Sequence, residues 1–177
     1  MEDKCDKLLI LDLDETLIHS TINVLDTPYD FTFDKYFVYE RPLLRQFLTD
    51  ISKHFTVGIW SSAGDEYVNE IVQVIKPDDV QFEIVWARSR CSLRRDFDGE
   101  YDYEKRLDKL KKKRFRLEQI LIVDDTPSKS RTNYGNAIYI KEFTGDKNDR
   151  ELQFLYDYLL TLKKVKNVRA IEKRGWR

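Results

Sequence analysis

Short apolar runs that end in acidic or hydroxyl residues recur along this chain, separated by segments with helical spacing. Residues 7–12, KLLILD, set four apolar positions between charges, the pattern of a strand buried on both faces of a parallel sheet. FTVGIW (55–60), FEIVWA (82–87), QILIVDD (119–125) and AIYI (137–140) predict four more strands. Between the first two, Leu44, Phe47, Leu48, Ile51 and Phe55 follow helical spacing, with Pro42 suited to the first helical position. Tyr67, Val68, Ile71, Val72 and Ile75 predict a helix from near Asp65 that Pro77 stops. Leu152, Leu155, Tyr156, Leu159 and Leu162 predict a last helix over 149–164, with a loose tail beyond it. A basic helix is expected at 103–114, and residues 18–40, with turn signals at Asp26 to Pro28, read as a small flap or hairpin.

Strands alternating with helices predict a doubly wound α/β fold around a mainly parallel, five-stranded, Rossmann-like sheet. At 177 residues, one domain spanning the whole chain is expected, with its core over about 7–162 and a polar insertion at 88–102. Such sheets bind ligands outside the carboxyl ends of their strands. The segments after the first and second buried strands are too short for a large cap.

Composition narrows the class without naming a partner. Hydrophobic residues make up 41% and charged residues 36%, and the net charge is −1, which fits neither a disordered chain nor a strongly basic nucleic-acid binder. Six of the eight residues from Lys109 to Arg116 are basic; a solvated face explains them, and nucleic-acid binding has no further support. Cys5 and Cys91 match no metal or redox spacing and read as free thiols in a reducing compartment. With no membrane segment or signal pattern, a cytoplasmic or nuclear monomer is expected.

The strand ends carry the candidate chemistry: Asp12 and Asp14 after the first, Ser61 and Ser62 after the second, Asp124 and Asp125 after the fourth. Carboxylates gathered at one crevice repel one another unless a cation lies among them, and oxygen donors favour magnesium. With Lys105 and a hydroxyl of Ser61 or Ser62 to meet phosphoryl oxygens, the set suits phosphoryl transfer. His19 and His54 lack ligand spacing and take no role.

Asp12, Asp14 and Thr16 match the Asp-x-Asp-x-Thr signature, and the chain resembles the haloacid dehalogenase-like phosphatases. DLDETLIHS from Asp12, VYERPLLRQFL at 38–48 and VDDTPSK at 123–129 narrow the resemblance to the small C-terminal-domain phosphatases. That group includes NLI-interacting-factor-like and Dullard-like proteins. The resemblance makes Asp12 the nucleophile and Asp14 the acid and base. It makes Asp12, the backbone carbonyl of Asp14 and Asp125 the magnesium ligands, with Asp124 in the outer shell. Ser61 then holds a phosphate oxygen, and Lys105 neutralises the phosphoryl group. Thr16, Ser62 and Arg95 are the expected substrate contacts; Arg95 follows an Arg-x-x-Cys stretch and precedes an apparent insertion, DFDGEYD.

The expected function is a magnesium-dependent phosphomonoesterase, preferentially a protein serine/threonine phosphatase acting on a phosphorylated protein or peptide. A phosphatase for small molecules or nucleic-acid ends is the alternative with the same chemistry. A phospho-binding scaffold is the non-catalytic one, against which the intact Asp12 and Asp14 weigh. A receiver-like protein would need its phosphoacceptor at the third strand, where this chain has WARS.

Overall fold

The computed structural model describes residues 4–95, 99–112 and 114–177. Residues 96–98 of the polar stretch and residue 113 of the basic stretch lie outside them.

Five parallel strands form the central sheet: β1 (Leu8–Leu11), β5 (Thr56–Trp60), β6 (Phe82–Trp86), β9 (Ile120–Asp124) and β10 (Ala137–Tyr139), in the order β10-β9-β1-β5-β6. β1 is central and every residue in it is buried. Alternation along it sends Leu9 and Leu11 to one face and Leu8 and Ile10 to the other. Around Leu9 and Leu11 pack the apolar stripes of α1 (Leu44–Ser52), α2 (Asp65–Ile75) and α3 (Glu151–Leu162). Leu8 and Ile10 pack with Trp60, Leu107, Leu110 and Phe115.

That second face departs from the expected basic helix at 103–114. The segment forms strand β8 (Tyr101–Glu104), paired antiparallel with β7 (Ser92–Arg95), and then a 3-10 segment, Leu107–Lys112. YDYE alternates with period two, and the Asp102 carboxylate accepts the Tyr103 N–H at 2.7 Å and the Ser128 hydroxyl at 2.9 Å. These bonds hold an extended backbone where helical spacing was read.

α1 also begins later than Pro42 predicts. Leu43 has φ 66°, the left-handed region that side chains rarely occupy, so helical geometry starts only at Leu44.

The flap is a three-stranded antiparallel sheet of β2 (Ile18–Thr21), β4 (Tyr36–Glu40) and β3 (Phe31–Phe33), in the order β2-β4-β3. The loop at 141–149 fastens it: Gly145, at φ 94°, packs so closely on Leu25 that a Cβ would collide. No separate cap forms among the described residues.

The tail is not loose. Val168 is fully buried, Lys173 is buried, and the Trp176 indole N–H donates to the Tyr139 carbonyl at 2.8 Å, along the sheet edge.

Candidate active site

Parallel register sets the first catalytic candidates side by side. Leu11 pairs with Ile59 on one side and Val123 on the other, so Asp12 emerges level with Asp124 and one residue short of Ser61. The Asp12 N–H donates to the Val123 carbonyl at 2.9 Å, extending the ladder past the strand end. Asp12, Thr16, Ser61, Lys105 and Asp124 are all buried there.

Lys105 reaches this point from the far side of the crevice. Its ammonium donates to Asp12 Oδ1, and to Asp124 Oδ2 at 2.7 Å. Its N–H donates to the Lys129 carbonyl at 2.7 Å, and its own carbonyl accepts Asn133 Nδ2 at 3.1 Å. Burial alone would lower the pKa of Lys105, but attraction to Asp12 and then Asp124 outweighs it and holds the value above the ordinary lysine range. Burial pushes both carboxylates upward, and Lys105 opposes the rise.

Asp14 turns to the mouth of the crevice. Tyr67 donates its hydroxyl to Oδ1 at 2.6 Å, and Ser61 donates its own to Oδ2 at 3.1 Å. Ser61 Oγ also accepts the Ala63 N–H at 3.0 Å, which fixes the rotamer of the donor. Burial, then the Asp14 charge, raise the Tyr67 pKa well above the phenol range, so the ring remains a donor. Ser20 of the flap lies 2.6 Å from the same hydroxyl.

Three of the four expected carboxylates meet. Asp12, Asp124 and Asp125 each offer an oxygen, all within 4.8 Å of one another, whereas the Asp14 carboxylate is engaged by Ser61 and Tyr67. Both oxygens of Asp124 are already occupied, by Lys105 and by the Thr126 N–H at 2.9 Å. Three acids facing one ammonium leave excess negative charge, and oxygen-only donors fit a hard divalent cation.

The remaining expected contacts are distributed differently. Thr16 is fully buried, its hydroxyl 3.2 Å from Asp12 Oδ2 and 3.3 Å from Asp125 Oδ1, where it braces the acids and faces no open cleft. Ser62 Oγ accepts the Lys129 ammonium at 2.6 Å. Arg95 stands at the outer end of the β7–β8 hairpin, with Nε on the Gly99 carbonyl at 3.2 Å. Ser92 pairs with Glu104, beside Lys105, and Arg95 pairs with Tyr101 three steps farther out, roughly 10 Å along the strand.

The cleft in front of Asp14 has a volume of about 320 Å³ and is lined by Phe33, Tyr36, Tyr67 and Arg88, among others. The Phe33 and Tyr67 rings meet edge to face at 5.5 Å, and Tyr36 lies 6.2 Å from Tyr67. Arg88 Nε donates to the Ser62 carbonyl at 2.9 Å, and its guanidinium stacks over Tyr103 at 5.1 Å.

Sequence reading missed four residues here. Tyr67 looked like one more apolar helix position, and Arg88 was one arginine among five between 88 and 106. Lys129 stood inside a motif noted for its acids. Glu15, beside the acid, has φ 57° and a pKa raised to about 8 by burial and by Asp14, Asp125 and Asp12. His19, given no role, lies 2.8 Å from Glu15 Oε1.

Known proteins resemble this chain in sequence and in fold. A family model described as NLI interacting factor-like phosphatase matches residues 7–169. The CTD small phosphatase-like protein 2 of Dictyostelium discoideum is 31% identical over 170 residues, covering 91% of this chain and 28% of that protein. A probable C-terminal domain small phosphatase of the same organism is 31% identical over 173 residues, covering 93% of this chain and 53% of the other. Nuclear envelope morphology protein 1 of Schizosaccharomyces pombe is 27% identical over 174 residues, covering 93% and 35%. The chain thus spans between about a quarter and a half of the length of these relatives. Among solved structures, Fcp1, an essential RNA polymerase II CTD phosphatase, superposes with a TM-score of 0.70 at 17% identity over 90% of this chain and 62% of that one, a likeness of fold. With a family match that runs through all five strands of the sheet and every acidic, hydroxyl and lysine position at its mouth, the chain belongs to the NLI interacting factor-like phosphatases.

Proposed function

We propose that this chain hydrolyses phosphoserine or phosphothreonine in extended protein segments, with magnesium, through a phosphorylated Asp12. The observation that carries this reading is the Lys105 ammonium held between Asp12 and Asp124, beside an Asp14 oriented by two hydroxyls. Asp12 Oδ forms a bond to phosphorus as the ester bond breaks, and Asp14 gives its proton to the departing hydroxyl oxygen. Water then attacks phosphorus and yields a proton to Asp14, releasing inorganic phosphate and free Asp12. Lys105 compensates charge on the phosphoryl oxygens and on the acyl phosphate, and Ser61 supplies a hydroxyl to one of those oxygens. A magnesium ion held by Asp12, the Asp14 backbone carbonyl and Asp125 would add a fixed positive charge.

Arg88 takes the substrate-contacting role first given to Arg95, because it lines the cleft while Arg95 stands at the hairpin tip. The aromatic cleft and the lack of a cap among the described residues favour a flexible peptide over an enclosed small molecule, and Phe33, Tyr36 and Tyr67 suit an apolar or proline residue beside the phosphorylated one. The names of the relatives support the same class.

Phosphate release from an aryl phosphate, with and without magnesium, tests the mechanism. Activity that requires magnesium and vanishes in a folded Asp12→Asn variant is expected; substantial turnover by the variant rejects the nucleophile. Faster turnover of phosphopeptides than of sugar phosphates or 3'-phosphorylated oligonucleotides is the expected order among substrates.

A further inference from the structure

The last stretch of the chain is fastened to the loop that follows the acidic pair. After α3 the backbone turns at Val168–Ala170, and Trp176 ends beside β10, its ring 5.3 Å from that of Tyr158. The Lys173 ammonium donates to three backbone carbonyls, those of Gly135 at 2.7 Å, Val168 at 2.5 Å and Ile171 at 2.8 Å. Carbonyl dipoles replace the water that a lysine normally keeps, and burial lowers its pKa accordingly. The Tyr134 hydroxyl donates to Glu172 Oε1 at 2.7 Å. At Gly135 a Cβ would stand 3.3 Å from both Arg169 Cβ and the Arg169 carbonyl oxygen, so the tail and the loop approach as closely as glycine allows.

Gly135 and Tyr134 form the far end of the segment Pro127–Asn136, short 3-10 turns joined through non-helical backbone at Ser130 and Asn133, which begins two residues after Asp125. The near end and middle of that segment grip Lys105: the Lys129 carbonyl accepts its N–H, and Asn133 Nδ2 donates to its carbonyl. On the opposite flank, Asn136 Nδ2 donates to the Leu117 and Ile120 carbonyls at 2.6 and 2.7 Å. One short segment thus connects the tail to the lysine of the active site. The family match ends at residue 169, so Glu172, Lys173 and Trp176 lie beyond it.

We infer that the segment 168–177 works in catalysis as a positioning strut: it fixes the loop 127–136 so that Lys129 and Asn133 hold Lys105 between Asp12 and Asp124. The kinetic consequence rests on the phosphatase reading above; the structural one rests on the hydrogen bonds alone. A lysine that must meet two carboxylates and a phosphoryl group tolerates little displacement, since misplacement by about 1 Å lowers rates by up to ~100-fold.

Lys173→Met keeps the length of the side chain and removes its three hydrogen bonds; Asn133→Ala removes one grip on Lys105. Each is expected to lower kcat on an aryl phosphate about 10-fold with KM within about 2-fold. The double variant should lose less than the product of the two, because both act through the same lysine. Hydrogen exchange supplies a measurement independent of activity: Lys173→Met should speed exchange at the Lys105 amide and across 124–136 while α2 and β5 keep their protection. An unchanged kcat in folded Lys173→Met overturns the inference, as does a raised KM with kcat intact, or a loss that merely follows the unfolded fraction in a thermal melt. If the wild-type chain releases no phosphate, the phosphatase reading fails by itself; unaltered exchange at Lys105 in Lys173→Met then removes the strut, and faster exchange there keeps it.

Discussion

A buried ammonium is tolerated when its attraction to nearby carboxylates or carbonyl dipoles offsets the hydration it has lost. Lys105 meets that condition twice, at Asp12 and at Asp124, with its backbone held on both sides. Asp14 is supported differently, by neutral hydroxyls that hold the carboxyl in place whether or not it carries a proton. Asp14→Asn should therefore preserve the shape of the site, because either hydroxyl can turn to accept from the new amide. Turnover is expected to fall about 100- to 10,000-fold while inorganic phosphate binds as in the wild type, measured by steady-state kinetics and by titration. Unchanged kcat would remove Asp14 as the proton carrier. At this scale the acids and Ser61 were legible because strand ends in a parallel sheet converge, and a polar residue after an apolar run must lie at that end; Lys105, which follows the antiparallel hairpin, was indicated only by the resemblance. The role of Thr16 was not, since a hydroxyl gives no sign in sequence of whether it faces substrate or its own carboxylates.

Among the elements, the β7–β8 hairpin is where sequence reading failed most. Arginines at 88, 90, 94, 95 and 106 look equivalent in a polar stretch, and only the fold shows that Arg95 stands at the outer end of the hairpin while Arg88 lines the cleft. Arg88→Ala should lower kcat/KM on a phosphopeptide by roughly 10- to 100-fold, the worth of a charge-assisted hydrogen bond, while Arg95→Ala stays within about 2-fold. The reverse order would return the substrate contact to Arg95. The helix expected over 103–114 failed for a related reason: alternating Tyr101 and Tyr103 compete with helical spacing, and the bonds that the Asp102 carboxylate accepts from the Ser128 hydroxyl and the Tyr103 N–H settle the competition in favour of a strand. α2 and α3 were legible because each carries a complete apolar stripe against the sheet.

Across the whole molecule, remote segments are joined by ionic and carbonyl contacts that leave no local trace in sequence. The Arg41 guanidinium donates to both Asp149 oxygens at 2.8 Å, to the Thr16 carbonyl at 2.9 Å and to the Lys141 carbonyl at 2.8 Å, tying the flap, the nucleophile turn and the 141–149 loop together. Burial alone would raise the Asp149 pKa; its hydrogen bonds to Arg41 outweigh that and hold it below the usual 3.8. A depressed carboxylate pKa contributes stability above the unfolded value and loses it as pH falls through the folded one. Asp149→Asn should thus destabilise the fold at pH 7, and the gap to wild type in denaturant melts should begin to narrow as pH falls below about 3.8 and close through the lower folded pKa. A gap independent of pH would show that the charge is not what holds the loop.

The Lys105 ammonium has a consequence for supply as well as for chemistry. One internal counter-ion among three acids balances only part of their charge; on the magnesium reading proposed above, the folded chain would keep its shape without the ion and occupancy would follow the ambient concentration. Chelation would then silence the enzyme and resupply restore it, with no passage through an unfolded state and no change in how much protein is present.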